Sequence, residues 1–252
     1  MARRVLTYRW LAQYYDEMFG SMHAPMDRAR ETLLKRILPK VRVACDLGCG
    51  TGTTALALAK QGIGMYGVDL SPKMCAIARE KVRSSAANVR IIRGDMRSFQ
   101  LPERVDLVTC EYDALNHIPA KGDLAKVAKA VRRALKRGGH FYFDVNNSRG
   151  FRRYWTGTFC IEKPGLMMLM RSGHNEDAQR AWADVDWFVQ QGARWRRHRE
   201  RVEEICWSGE EIEDTFRGAG FDEIRHWDSA RFFGEGSPVQ RACRSVYLMR
   251  RR

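Results

Sequence analysis

Between Val41 and Gly62 the chain runs VRVACDLGCGTGTTALALAKQG. Val41, Val43, Ala44 and Leu47 make a short apolar run, broken by Arg42, with the character of a buried strand. Gly48, Gly50 and Gly52 follow in a tight turn, and Ala55, Leu56, Leu58 and Ala59 then recur at helical spacing. A strand, a glycine turn and a helix in that order commit this part of the chain to an α/β unit whose backbone can approach a ligand closely. The spacing is G-x-G-x-G, and the exit through Thr51, Thr53 and Thr54 lacks the lysine of a phosphate-cradling loop. Asp46 stands at the end of the strand, where a carboxylate repels a pyrophosphate and suits a cationic or amine-bearing ligand.

The stretch DLGCGTG resembles the first motif of class I S-adenosylmethionine (SAM)-dependent methyltransferases. A nicotinamide-binding domain is the competing reading of the same turn. Three further units arrive in the order and at the spacing that the resemblance implies. Met65 to Val68 is a second strand with Asp69 at its end, 17 residues after Gly52. A carboxylate there accepts hydrogen bonds from paired ribose hydroxyls. A helix starts near Ser71, an N-cap followed by Pro72. Val89, Ile91 and Ile92 form a third strand, followed by Gly94, Asp95 and Met96. The resemblance implies that Asp95 meets the adenine amino group and that Met96 packs on the ring, and GDMR is similar to the sugar-amine N-methyltransferase branch. Val105, Leu107 and Val108 make the fourth strand. Glu111, Tyr112, Asp113, Asn116 and His117 then crowd its carboxyl end, where open α/β sheets bind ligands. The cofactor set expected from the resemblance is Asp46, Gly48, Cys49, Gly50, Gly52, Asp69, Leu70, Met74, Gly94, Asp95, Met96, Glu111 and Asn116.

Residues 5 to 20 and 24 to 39 are expected as two N-terminal helices over the site, the first with an aromatic side of Tyr8, Tyr14, Tyr15 and Phe19. YYDEMF resembles the first helix of small-molecule N-methyltransferases, which implies a tyrosine over the active site, and Tyr14 is assigned that role. An amphipathic helix over 121–137 is expected to end at Gly138-Gly139, and HFYFDVNN then forms a fifth strand. Asp144 lies at its end. His117, whose ordinary pKa lies nearest neutrality, is the expected general base, with Tyr14 and Asp144 completing the catalytic set.

From 150 to 207 the pattern changes to alternating strands separated by turn residues, an antiparallel insertion serving as a lid, a dimer surface or both. It holds five of the seven tryptophans, interleaved with Arg194, Arg196, Arg197, Arg199 and Arg201. Such a pattern either stacks on bases or makes a hairpin face with solvated arginines, and period-two alternation favours the second. A capped helix from Ser208 and strands over 222–227 and 244–249 complete the expectation: one domain over 1–252, a doubly wound, seven-stranded, mostly parallel sheet with a reversed last strand.

Bulk properties narrow the function. The 252 residues carry 44 basic and 30 acidic side chains, a net charge of +14, compatible with nucleic acid or an anionic partner. No apolar run approaches the ~18 residues of a membrane span, and a cytoplasmic location is expected. Seven cysteines stand singly with no C-x-x-C pair, so no metal site or disulfide framework is expected. The resulting reading is a SAM-dependent methyltransferase acting on an amine or hydroxyl of a small molecule. An RNA methyltransferase and a non-catalytic SAM-binding protein remain the alternatives.

Overall fold

The computed structural model describes residues 10–20, 23–231 and 243–252. Tyr8 and the expected first turns of the N-terminal helix lie outside them. The chain opens with α1 (Leu11–Phe19) and α2 (His23–Leu34). The glycine turn then sits as expected between β1 (Val43–Leu47) and α3 (Thr53–Ala59). The alternation continues through β2 (Gly64–Asp69), α4 (Pro72–Ser85), β3 (Val89–Arg93), β4 (Val105–Cys110), α5 (Asp123–Ala134) and β5 (Leu135–Asn146). After α6 (Ser148–Tyr154) come β6 (Gly157–Lys163), β7 (Leu166–Asn175), β8 (Arg180–Gln191) and β9 (Arg194–Ile205). The chain closes with α7 (Gly209–Gly218), β10 (Phe221–Asp228) and β11 (Arg244–Arg251).

Seven strands form one sheet in the order β10-β11-β5-β4-β1-β2-β3. Strands β3, β2, β1, β4 and β5 pair in parallel, and β11 runs antiparallel to both β5 and β10. The order reverses between β1 and β4, and this topological switch point opens a crevice at the carboxyl ends of the strands. Alternation along β5 sends its side chains to two cores. Phe141 and Phe143 stack with Phe216, Phe221 and Tyr247 under α5 and α7. Tyr142 faces Leu34, Ala55, Leu58 and Leu107 under α2 and α3. One boundary differs from the sequence expectation. Helix α5 ends at Ala134, and fully buried Leu135 already pairs with Val105. Residues 136–139 therefore bulge out of β5, and Gly138, at φ +75°, turns the bulge instead of capping the helix.

The expected antiparallel insertion is a separate four-stranded sheet, β6-β7-β8-β9. Its inner face carries Met168, Val185, Trp187 and Val202, which pack on Met18, Tyr14 and Phe19 of α1. Its outer face carries arginines tied to carboxylates. Arg171, Arg197 and Arg199 all bind the buried carboxylate of Asp186, which they hold well below the usual carboxylate range. Arg201 pairs with Asp184 and Glu203.

The helices and the sheet meet at one buried ion pair. Arg30 of α2 donates to both oxygens of Glu111, at 3.0 and 2.7 Å, and each side chain is 1% exposed. Thr54 of α3 donates to the same carboxylate at 3.3 Å. Removing one member of such a pair strands a buried charge, at a cost of about 3–5 kcal/mol, whereas an apolar replacement of both is far milder. Arg30→Ala is expected to lose stability in that range, and Arg30→Met/Glu111→Leu to recover most of it; urea unfolding of the two variants measures the difference.

Candidate active site

The glycine turn is bound to its neighbours by backbone and carboxylate together. Gly48 and Cys49 N–H donate to the Val68 carbonyl at 2.7 and 3.0 Å. Gly48, at φ +73°, admits no side chain, because a Cβ there would lie 2.7 Å from that of Ala114. A Cβ on Gly50 would meet nothing closer than the Met74 sulfur at 4.0 Å, so open space lies against this part of the turn. Asp69 spans the turn and the start of α4, accepting from Gly50 N–H at 2.9 Å and Ser71 N–H at 2.7 Å. A carboxylate offers about four lone-pair sites, so Asp69 retains capacity for further donors. Leu70 beside it is 59% exposed, an apolar surface at the rim of the crevice. Asp46 lies below the turn and accepts from Thr109 Oγ1 at 2.9 Å. Burial pushes its carboxyl up to about 6, against the pull of the Thr109 hydrogen bond and the Arg30 charge.

Gly94 follows β3, and its N–H reaches the Asp69 carbonyl at 2.9 Å. The Asp95 carboxylate is held by Arg97, which also bridges to Asp123. Met96 lies against the glycine turn, its methyl 3.8 Å from a Cβ placed on Gly48.

Helix α1 lies across this edge. Thr51 Oγ1 of the glycine turn donates to Asp16 at 2.7 Å, and Lys81 of α4 pairs with the same carboxylate. The other side of α1 is fixed to the insertion. Trp10 stacks on His198 with centroids 3.4 Å apart, and Tyr14 stacks on Trp187 at 5.8 Å. The Tyr14 ring, expected over the site, faces the insertion core. Tyr15 is the tyrosine directed to the polar cluster. Burial raises its pKa, with Asp113 and Asp144 adding to the rise and Arg244 opposing it.

At the end of β4, Tyr112 and Asp113 both adopt left-handed backbone, at φ +58° and +54°. Conformations of this kind cost of order 1–3 kcal/mol each and persist only where the surroundings fix them. Asp144 supplies the fixing. Its fully buried carboxylate accepts from Tyr112 N–H at 2.6 Å, Asp113 N–H at 3.2 Å and Arg244 at 2.5 Å. Arg244 also pairs with Asp113 at 2.5 Å. Asp144 thus holds the turn, with its carboxylate engaged by Tyr112, Asp113 and Arg244. Glu111 and Asn116 are likewise engaged. Glu111 carries the Arg30 pair, and Asn116 donates to the Asn146 and Ile205 carbonyls and accepts from Asn146 N–H, tying β5 to the insertion. Their side chains, expected at the cofactor, take these partners because a buried polar group must satisfy its hydrogen bonds within reach.

His117 Nε2 stands 3.8 Å from Asp113 and 3.7 Å from Glu204, a residue at the end of β9. Burial pushes the imidazole pKa down and keeps the ring neutral. Burial, and the charge of Asp113, push Glu204 well above the usual carboxylate range. The donor atoms of Asp113, His117 and Glu204 all lie within 4.8 Å of one another, a group that could also hold a metal ion and that the sequence did not bring together. Glu204, Arg244 and Arg30 escaped the sequence analysis because no local pattern marks them. Each meets its partner 81 or more residues away, or across the insertion. Tyr15 had a signal, its place beside Tyr14, but the rotation of α1 decides between the two.

Residues 44–139 match the family model described as a methyltransferase domain. A putative methyltransferase of Bacillus subtilis, YqeM, is 30% identical over 218 residues, covering 86% of this chain and 87% of the relative. The chain belongs to the SAM-dependent methyltransferases. The fold agrees. A SAM-dependent methyltransferase of Clostridium acetobutylicum superposes with a TM-score of 0.81 at 24% identity, over 96% of this chain and 97% of the other. The sugar N-methyltransferase KedS8 of Streptoalloteichus superposes at 0.75 and 22% identity, over 94% and 92%. Among the described residues of this methyltransferase, no helix is long and apolar enough to cross a membrane.

The residues at the glycine turn suit the cofactor of this family. Open space at Gly50, spare acceptor capacity on Asp69 and a buried anionic Asp46 match a nucleoside that carries an ammonium-bearing tail. If the anionic form of Asp46 attracts that ammonium, affinity is lost as pH falls through about 6. Calorimetric titration with SAM is expected to give a constant dissociation constant above about pH 7, weakening toward tenfold per unit below about pH 6, and an Asp46→Asn variant is expected to bind more weakly with no such slope.

Proposed function

We propose that this methyltransferase transfers a methyl group from SAM to the nitrogen of an amine on a small molecule. The observation that carries the reading is the group Asp113, His117 and Glu204 at the carboxyl end of β4, beneath α1. The Asp113 carboxylate, beside a neutral imidazole and the Glu204 carboxyl, favours an ammonium over a neutral hydroxyl. In addition, KedS8, whose fold matches along nearly the whole chain, is a sugar N-methyltransferase. The outer face of the insertion supports a small molecule over RNA. Arg171, Arg197, Arg199 and Arg201 are tied to Asp184, Asp186 and Glu203, which offset three of their four charges and weaken the pull on a phosphate backbone.

In this reading Gly48, Cys49, Gly50 and Gly52 give the close-approach surface, and Asp69 accepts from the ribose hydroxyls. Leu70, Met74 and Met96 pack on the base, Gly94 leaves room beside it and Asp95 addresses its amino edge. SAM, when bound, supplies a methyl already activated on a sulfonium. The protein's task is then mainly positioning, which can lower a barrier by up to ~7–11 kcal/mol. An amine reaches the site protonated and must lose a proton before it can attack. Asp113 attracts and orients the ammonium, and the neutral His117 accepts the proton. Tyr15, its hydroxyl kept protonated, donates toward the reacting edge in place of Tyr14. The 1–40 segment and the 150–207 insertion act together as the cover of a single catalytic domain. A homodimer through the insertion remains compatible with this arrangement.

A screen of amino sugars and other small amines against matched alcohols, read as S-adenosylhomocysteine formed, tests the reading. Turnover is expected with amines, and turnover confined to alcohols or to RNA would overturn it. With an accepted amine, His117→Ala is expected to lower kcat by roughly 10²–10⁴-fold, typical of a lost general base, while SAM affinity stays unchanged.

A further inference from the structure

At the pole opposite the crevice, four arginines meet without a counter-charge. Arg251 ends β11, Arg132 lies in the last turn of α5, Arg137 is in the bulge of β5, and Arg104 immediately precedes β4. Arg251 is only 7% exposed. Its Nη1 donates to the Leu135 carbonyl, while its buried Nε has no hydrogen-bond partner. Arg132 passes over Gly220, so close that a Cβ there would stand 2.9 Å from its Nε. Burial, and then the charges of Arg104, Arg132 and Arg137, push the Arg251 pKa down.

Among the described residues, none of the four pairs with a carboxylate. Of the acidic side chains nearest in the chain, Asp106 pairs with Lys136 and Asp222 with Arg250 and Arg252, while the Glu103 carboxylate turns to the Tyr66 hydroxyl. The ends of α5 and α7 point to this pole. Each helix end contributes roughly half a negative charge, so two offset about one of the four positive charges. About three remain, one of them on a guanidinium removed from water, an arrangement that is costly unless an anion completes it.

We propose that Arg104, Arg132, Arg137 and Arg251 form a binding site for a polyvalent, phosphate-type oxyanion, separate from the methyl-transfer crevice. A guanidinium presents N–H groups in a planar fork that matches the oxygens of such an anion, and the unpaired Nε of Arg251 supplies a donor at the base of the site.

Calorimetry of the full chain with pyrophosphate in chloride buffer tests the site, using Arg104→Gln/Arg132→Gln/Arg137→Gln as the comparison. Arg251 is retained because its contact with Leu135 supports the fold. The wild type is expected to bind one pyrophosphate per chain, and the triple variant to bind it more than roughly tenfold more weakly, as the loss of several charge-assisted contacts implies. Without pyrophosphate the triple variant is expected to melt at a higher temperature than the wild type, because self-repulsion is relieved. Equal affinity in the two proteins, no binding by the wild type, or a lower melting temperature for the variant would each overturn the proposal.

Discussion

Two buried arginines make the active edge of this protein possible. Asp46, Glu111, Asp113, Asp144 and Glu204 converge on the carboxyl ends of neighbouring strands, most of them sealed from water. So many carboxylates in a poorly solvated space repel one another and resist ionisation. Arg30 answers Glu111 and draws Asp46 toward its charged form, and Arg244 answers Asp113 and Asp144. One arginine comes from the second helix and the other from the last strand. The crevice is therefore electrostatically complete only when both ends of the chain have folded onto the central sheet.

The same economy governs the cover. Helix α1 is too short to persist alone in water, and it is held from two sides. Its aromatic residues pack on the inner face of the four-stranded insertion, while Asp16 reaches the glycine turn through Thr51 and α4 through Lys81. The helix thus ties the insertion to the glycine turn. On the side of the glycine turn α1 is held, among the described residues, by the Asp16 contacts and by Lys73 lying over the Trp10 ring.

The parallel half of the fold was legible in the sequence because local chemistry specifies it. Glycines at 48, 50 and 52 require left-handed backbone, apolar runs of four to six residues mark buried strands, and Ser71-Pro72 and Ser208 announce helix starts that the structure shows capped as expected. The insertion was legible as alternation and turns, and its outer arginines lie on one hairpin face tied to Asp184, Asp186 and Glu203. The polar cluster was legible only in part. Asp113 and His117 lie near in sequence, but Glu204 joins them from β9 and Arg244 from β11, through strand pairings that no local pattern encodes. The assignments at Tyr14, Glu111, Asn116 and Asp144 depended on where side chains point. Helix rotation and the need of buried polar groups for partners decide that, and both are tertiary effects.

We propose that the glycine turn and the Asp113–His117–Glu204 group are two halves of one reaction site, joined beneath α1. A crystal structure of the chain with S-adenosylhomocysteine tests it most directly. The ribose is expected on Asp69, the nucleoside against Gly48 to Gly52, and the sulfur directed toward Asp113 and His117 with Tyr15 nearer to it than Tyr14. A nucleoside bound away from the glycine turn, or a sulfur pointing away from that polar group, would contradict it.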